Sequence, residues 1–355
     1  LELLHRELRR RYGALDRVAV AVYDAQTDLL KTFLGSNDEL PTLKNYQAKL
    51  ADVPTLQALR ESGVGRVVND LEHYGHAGHE HTRQLRAAGY RSSYTVPMFA
   101  RGEFFGFIFY DSREPAYFQP EMLAHLEPFA RLLALIVISE LSAIRTLKAA
   151  TLTMRHIASR RDCETGAHLE RMARYCRLIA RAVAETHDLS DEYIEHLFLF
   201  APLHDIGKVA IPDSILLKPG PLTEAEFEIM REHARKGLEL IDLMLQEFGF
   251  TGFAHTEVLR NLVLSHHESF DGNGYPQGLK GRAIPIEARI TTTADVFDAL
   301  TSRRPYKPAW PLDVALAELR RQAGRKLDPA CVEALIAHAD EVAAIQRQFV
   351  ESVYG

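Results

Sequence analysis

Between Phe118 and Asp162 the chain reads FQPEMLAHLEPFARLLALIVISELSAIRTLKAATLTMRHIASRRD, and this stretch divides everything else. Leu126, Phe129, Leu133, Ile136, Ile144 and Leu147 recur at steps of three and four, apart from one gap near Glu140, which is the period of an amphipathic helix. Forty helical residues extend about 60 Å. A helix that long suits a connector between domains, and its apolar stripe suits the seam of a parallel dimer. The expected order is a sensor-like domain over 1–140, a connecting helix over 141–160 that continues from about 121, and a second domain over 161–355. A total of 355 residues is ample for two hydrophobic cores.

The two sides of the helix differ in kind. Before it, RVAVAVYD (Arg17–Asp24) is Val-rich and alternating, as a strand is. RSSYTVPMFARGEFFGFIFYDS (Arg91–Ser112) reads as a hairpin around ARGE, with Gly102 where the turn needs positive φ. Phe104, Phe105, Phe107 and Phe109 alternate along its second strand and read as core. From Leu141 onward strand signals nearly vanish, and helical stretches are separated at KPGPLT, DGNGYPQG and RRPYKP. Thr223 followed by Glu226 predicts a capping box at one helix start. The fold class is therefore two domains, an α+β unit with an antiparallel sheet followed by an all-α bundle.

Composition excludes some partners. A net charge of -6 argues against a general nucleic-acid coat and so against DNA as a partner. Cys163, Cys176 and Cys331 are odd in number and far apart, which points to a reducing cytoplasm rather than a disulfide framework. The longest apolar run, Leu132–Ile138, is seven residues and too short to span a bilayer, so no membrane span is expected. No signal-peptide pattern opens the chain, which begins at Leu1.

The chemistry-bearing residues sit in the second domain. They are ETGAH (Glu164, His168), HDIGK (His204, Asp205, Lys208), REHARKG (His233), SHHE (His266, His267) and ADVFDALTS (Asp295). Glu164 and His168 are four apart and share a helix face. His204 and Asp205 follow the strongly apolar IEHLFLFAPL, and a buried imidazole–carboxylate pair needs partners. Imidazole with carboxylate suits iron, manganese, zinc or nickel better than magnesium or calcium. Taken singly, each piece has an ordinary structural reading: a helix cap, a surface pair, an exposed helix residue. HYGHAGHEH (His73–His81) is richer in histidine but loosely spaced, and reads as a solvated loop with metal binding or sensing as the alternative.

In combination, HDIGKVAIPDSILLKPGPLTEAEFEIMREH, HHESFDGNGYP and ADVFDALTSRRPYK, in that order, resemble the HD-GYP family, a branch of the metal-dependent HD-domain phosphohydrolases. The likeness covers about residues 150–345, and Gly274-Tyr275-Pro276 supplies the GYP. Residues 1–140 resemble a GAF sensor domain, with a PAS-like sensor as runner-up. The family resemblance implies an all-α fold, a bacterial cytoplasmic setting and hydrolysis of cyclic di-GMP. It makes His204, Asp205, His233, His266, His267 and Asp295 ligands to two metals, with Asp205 bridging. Glu164 and His168 match the further ligands of members holding three metals, although Glu164 alternatively stands behind the ligands. The cofactor expected is two or three divalent transition metals, iron or alternatively manganese. Lys208 becomes a phosphate contact that assists the leaving group, and Arg304 and Lys307 grip phosphates and guanine. Tyr275 either stacks on a base or anchors its loop, whose geometry Gly272, Gly274 and Pro276 set. Asp271 is expected to cap the turn and Glu268 to orient a ligand histidine.

Two metals of this kind lower the pKa of a shared water, clamp the phosphate and open the diester without a protein nucleophile. The expected product is linear pGpG, and GMP if a second cut follows, under control of the sensor domain. Two other readings stay open: another cyclic dinucleotide such as cyclic GMP-AMP, or a nucleotide-sensing binding protein with structural metals. The sensor domain is expected to bind an unknown small molecule, to bind nothing, or only to dimerise. Two departures from the family pattern touch no expected ligand: a long connection containing EFGFTGFAHTEV, and Leu327 in place of a Phe before Asp-Pro.

Overall fold

The computed structural model describes residues 1–37, 43, 45–73, 80–158, 166–249, 255–302 and 309–350. The chain separates into two compact units, Leu1–Leu141 and Ser142–Gly355. The first contains α1 (Glu2–Arg11), β1 (Arg17–Asp24), β2 (Leu29–Asn37), β3 (Gln47–Lys49), α2 (Pro54–Ser62), β4 (Arg66–Val68), α3 (Glu80–Ala87), β5 (Ser92–Ala100), β6 (Glu103–Ser112) and the start of α4 (Pro120–Ala158). Its strands form one antiparallel sheet in the order β3-β2-β1-β6-β5-β4.

The β5–β6 hairpin turns on Arg101 and Gly102, both at positive φ, between the paired Ala100 and Glu103. Two such residues match the right-handed twist of the flanking strands. Met98 pairs with Gly106 and Phe99 with Phe104, so Phe105 is the extra residue of a bulge. The bulge shifts the face on which side chains fall, and Phe104 joins Phe107 and Phe109 in one cluster. Gly106 is required where β6 crosses β1: a Cβ there would lie 2.0 Å from the Ala21 carbonyl oxygen. Under α2 and α3 the sheet encloses a cavity of about 20 Å³ lined by Arg17, Tyr46, His81 and Phe109 among others. That volume is room for about one water.

The histidine-rich segment departs from its expected solvated state at its end. His81 is half-buried, packed against Tyr46 and Phe109, and desolvation holds its pKa down at about 3. His73 stays exposed beside Asp70. His76 and His79 lie outside the described residues.

Helix α4 runs 39 residues, and the expected single stripe is split. Leu126, Leu133, Ile144 and Leu147 are buried, whereas Phe129 and Ile136 face outward with Leu132 and Leu135, at 37–64% exposure. The apolar residues cover more of the circumference than a single seam uses. Over Pro120–Ala150 this helix is long and apolar enough to cross a membrane by length and composition, with 33% of its most apolar window buried. The longest unbroken apolar run underestimated it because its charges are widely spaced.

The second unit continues through α5 (Gly166–His187), α6 (Asp191–Phe200), α7 (Asp213–Leu216), α8 (Glu224–Arg231), α9 (His233–Glu247), α10 (Thr256–Ser265), α11 (Ile286–Thr301), α12 (Leu312–Gln322), α13 (Pro329–Ala337) and α14 (Ala339–Gln348). Among its described residues no strand forms. Helix starts follow local chemistry. Ser190 caps α6, Thr223 and Glu226 close the capping box of α8, and Asp328 caps α13 ahead of Pro329. Helix α5 is the central pillar and packs on α6, α11 and α13. It is buried nearly all round, so even its arginines are inside: Arg171 pairs with Asp298, Arg174 with Glu170 and Arg177 with Glu195. Pairing makes that burial tolerable. Cys176 and Cys331 are buried free thiols, and Cys163 lies outside the described residues.

Replacing Gly106 by Ala forces β1 and β6 apart and is expected to cost the first unit about 1–3 kcal/mol. The lone tryptophan, Trp310, reports the second unit separately. Urea unfolding followed by far-UV circular dichroism should shift to lower midpoint in Gly106→Ala, and an unshifted curve refutes the close approach.

Candidate metal centre

Helix ends converge on one buried spot. The first turn of α5 carries His168, and α9 opens on His233. Helix α6 passes into a 3₁₀ turn, Ala201–Leu203, that delivers His204 and Asp205. A second 3₁₀ turn, Ile206–Ala210, carries Lys208. Helix α10 closes on His266 and His267, and α11 presents Asp295. Gly207 permits the convergence: a Cβ there would sit 1.9 Å from the His233 carbonyl oxygen. The HDIGK turn therefore lies directly on the first turn of α9.

The described candidates fall into two adjoining groups. Asp205, His233, His266 and His267 offer ligand atoms within 4.8 Å of one another, and so do His168, His204 and Asp295. Asp205 faces both ways. Its Oδ1 is 3.2 Å from His233 Nε2 and 3.4 Å from His266 Nε2, while Oδ2 is 3.2 Å from His204 Nε2 and 2.6 Å from Lys208 Nζ. Bonds of about 2.1 Å to a shared ion place neighbouring ligand atoms roughly 3.0–3.4 Å apart. The His–Asp separations match such polyhedron edges. His233 Nε2, His266 Nε2 and Asp205 Oδ1 are buried without a hydrogen bond among the described residues. Orphaned polar atoms of this kind call for an occupant.

The rings are oriented from behind. Nδ1 of His204 donates to the Ala201 carbonyl at 3.0 Å, and that of His233 to Met230 at 2.7 Å. Nδ1 of His266 faces the Leu262 carbonyl at 3.0 Å, and that of His168 the Asp298 carboxylate at 2.7 Å. A carbonyl only accepts, so each Nδ1 carries the proton and each Nε2 lone pair is directed to the centre. Burial holds the pKa values of His266 and His267 below the usual range, which keeps both neutral and able to ligate. Burial alone would raise the Asp205 carboxyl; the Lys208 ammonium and His204 outweigh it and hold it well below the ordinary value.

The loop after His267 covers one side. Asp271 Oδ1 accepts from the Asn273 amide, the expected cap. Gly272 is at φ 90°, and a Cβ on Gly274 would meet the Ser269 nitrogen at 2.1 Å. The Tyr275–Pro276 peptide is cis. Tyr275 stacks on His267, centroids 4.7 Å apart, with Arg231 over its ring. Glu268 departs from expectation. Its bonds go to the Gln277 and Leu279 amides, at 2.7 and 2.9 Å. It braces the loop instead of orienting a histidine.

Glu164, Arg304 and Lys307 lie outside the described residues. One contributor escaped the sequence reading. Asp298, fully buried, holds His168 and accepts two bonds from Arg171. The available signal was its place three residues after Asp295, one turn along the same helix.

An HD domain family model matches residues 152–331, and a GAF domain model matches residues 1–137. The chain belongs to the HD-domain family. Its motifs are those of the HD-GYP branch. The HD domain resembles the cyclic di-GMP phosphodiesterase response regulator RpfG of Xanthomonas campestris pv. campestris at 50% identity, over 53% of this chain and 47% of that protein. It resembles a cyclic di-GMP phosphodiesterase of Vibrio cholerae at 42% identity, over 58% and 42% of the two chains. A 3'3'-cGAMP-specific phosphodiesterase 2 from the same organism is 40% identical, over 57% of this chain and 36% of that one. The chain thus spans less than half the length of each of these relatives.

The HD centre makes a direct prediction about Asp298. Asp298→Asn keeps the shape but weakens the charge behind His168, and such outer partners are worth about 10–100-fold in metal affinity. Metal retained after dialysis against a graded chelator should fall by that factor. Retention equal to the parent would mean that Asp298 serves only the Arg171 pair.

Proposed function

We propose that this chain is a metal-dependent phosphodiesterase acting on cyclic di-GMP. The observation that carries the reading is Asp205, one carboxylate turned toward two adjoining groups of imidazoles. That is the arrangement a bridging ligand needs, and a purely structural metal has no use for two adjoining groups. Names of the relatives supply the substrate class, a cyclic dinucleotide.

His168, His204, Asp205, His233, His266, His267 and Asp295 would hold the ions, with Glu164 as a further ligand. The histidine–carboxylate donor set fits iron or manganese. When bound, the ions would activate a water and offset charge on the phosphate. Lys208 stands 2.6 Å from Asp205, where its ammonium can meet a phosphate oxygen and donate a proton to the departing 3′-oxygen. Tyr275 presents a ring held by His267 against which a base can pack. Arg304 and Lys307 would take the remaining phosphate and guanine. One cut yields pGpG, and a second yields GMP. A 3'3'-cGAMP substrate is the second reading, favoured by the named specificity of one relative.

The test is anaerobic. Iron and manganese are counted per chain, and cyclic di-GMP and 3'3'-cGAMP are each followed by chromatography with the parent and Asp205→Ala. The parent should open cyclic di-GMP while Asp205→Ala loses at least about three orders of magnitude in rate. Full metal occupancy with neither nucleotide opened sinks the hydrolase reading.

We further propose that the outward row Phe129, Leu132 and Ile136 on α4 pairs with a second copy, its three- and four-residue steps being those of a coiled-coil seam. Solution mass should be twice the 40.0 kDa of the chain, and Leu132→Glu should return it toward monomer. A monomeric parent at micromolar concentration rejects the seam.

A further inference from the structure

Away from the HD centre, α6 and the residue preceding α10 bring together Glu192, His196 and His255. Their ligand atoms lie within 4.8 Å of one another. We propose that these three residues form a separate site for a divalent transition metal of the zinc class. The inference does not depend on the phosphodiesterase reading.

Three observations carry it. The first is the donor set. Glu192 and His196 are four apart on α6, so one helix face presents both, and His255 arrives from a different segment. Two imidazoles and a carboxylate are a common zinc set, with the fourth position left to water. The second is geometry. His255 Nε2 is 3.7 Å from Glu192 Oε1, close to the roughly 3.4 Å edge of a tetrahedral site with bonds of about 2.1 Å. At 3.7 Å the pair exceeds a normal hydrogen bond. The rings of His196 and His255 are 4.7 Å apart, face to tilted face. The third is orientation. His196 is fully buried and its Nδ1 donates to the Glu192 carbonyl at 2.7 Å, so Nε2 is the ligating nitrogen, as in the HD centre.

The site has a structural consequence. Helix α6 leads within one helical length to His204 and Asp205, and α10 leads likewise to His266 and His267. Ten residues of helix span about 15 Å, so an ion here would join the far ends of the two elements that deliver ligands to the HD centre. Glu287 already bridges them at this end, accepting from Tyr193 of α6 and Asn261 of α10, each at 2.7 Å. His255 comes from the long connection EFGFTGFAHTEV, which no role in the HD centre explains.

Zinc bound per full-length chain after equilibrium dialysis tests the proposal, with the parent beside His255→Gln and Glu192→Gln. Both changed residues are about a quarter exposed, so the fold should survive, and melting curves verify this. The parent should hold one zinc more than either variant. Its cobalt(II) form should show visible bands of a tetrahedral ion that both variants lose. Hydrogen exchange at the start of α10 should slow with zinc in the parent only. Equal zinc counts and identical cobalt spectra in all three proteins would overturn the site.

Discussion

A buried carboxylate organises the second unit. Asp205 is 6% exposed and stands among the Nε2 atoms of His204, His233 and His266. Removing an ionised carboxylate from water costs several kcal/mol even after relaxation. The Lys208 ammonium and His204 outweigh this cost and hold the carboxyl ionised, while the Nε2 atoms of His233 and His266 stand beside it without a hydrogen bond among the described residues. The arrangement leaves buried polar atoms for cations to satisfy. Its persistence requires the surrounding helices to over-determine it, and they do. His168, His204, His233 and His266 are each locked from behind by a carbonyl or carboxylate, and each sits at a helix end or in a helix's first turn.

Helix ends are suited to this because they carry unspent backbone groups. The Nδ1 atoms of His204, His233 and His266 satisfy carbonyls three or four residues earlier in the chain. One hydrogen bond thus closes a helix or turn and fixes a tautomer. His168 lies in the first turn of α5, and there the Asp298 carboxylate of α11 takes the place of a carbonyl. Arg171, one turn along α5, neutralises that Asp298. The buried arginines of α5 therefore extend the centre's charge balance into the core, which a purely apolar pillar could not do.

Much of this was legible in the sequence, for a physical reason. Helical periodicity, turn residues and caps are local, so the two units, the hairpin at Gly102 and the capping box at Thr223 could be read residue by residue. Where packing decides, local reading stops. The stripe on α4 was correct in period but not in direction, because which turn meets the core depends on elements distant in sequence. The bulge at Phe105 changed a strand's facing without any compositional sign. His81 looked like one histidine of a solvated run and packs against Tyr46 and Phe109. Glu268 looked like a partner for a neighbouring histidine, yet two loop amides nine and eleven residues on claim it. Asp298 and the trio Glu192, His196 and His255 needed three dimensions, since their partners are 60 to 130 residues away or lack a motif spacing.

The loop braced by Glu268 shows how the base contact proposed for Tyr275 would be tied to the metal ligands without a direct bond. Two amide bonds to a buried carboxylate fix the backbone on one side of Tyr275, and the Tyr275 amide donates to the His267 carbonyl at 3.2 Å on the other. The ring then has one place to lie, against the imidazole of His267. An ion drawing on that imidazole would alter the face Tyr275 packs on, and a base packed on Tyr275 would press the ring toward the ligand. Stacking contributes about 1–3 kcal/mol per base. A coupling between the proposed nucleotide and metal sites would then need no moving domain, only a loop too well bonded to give way.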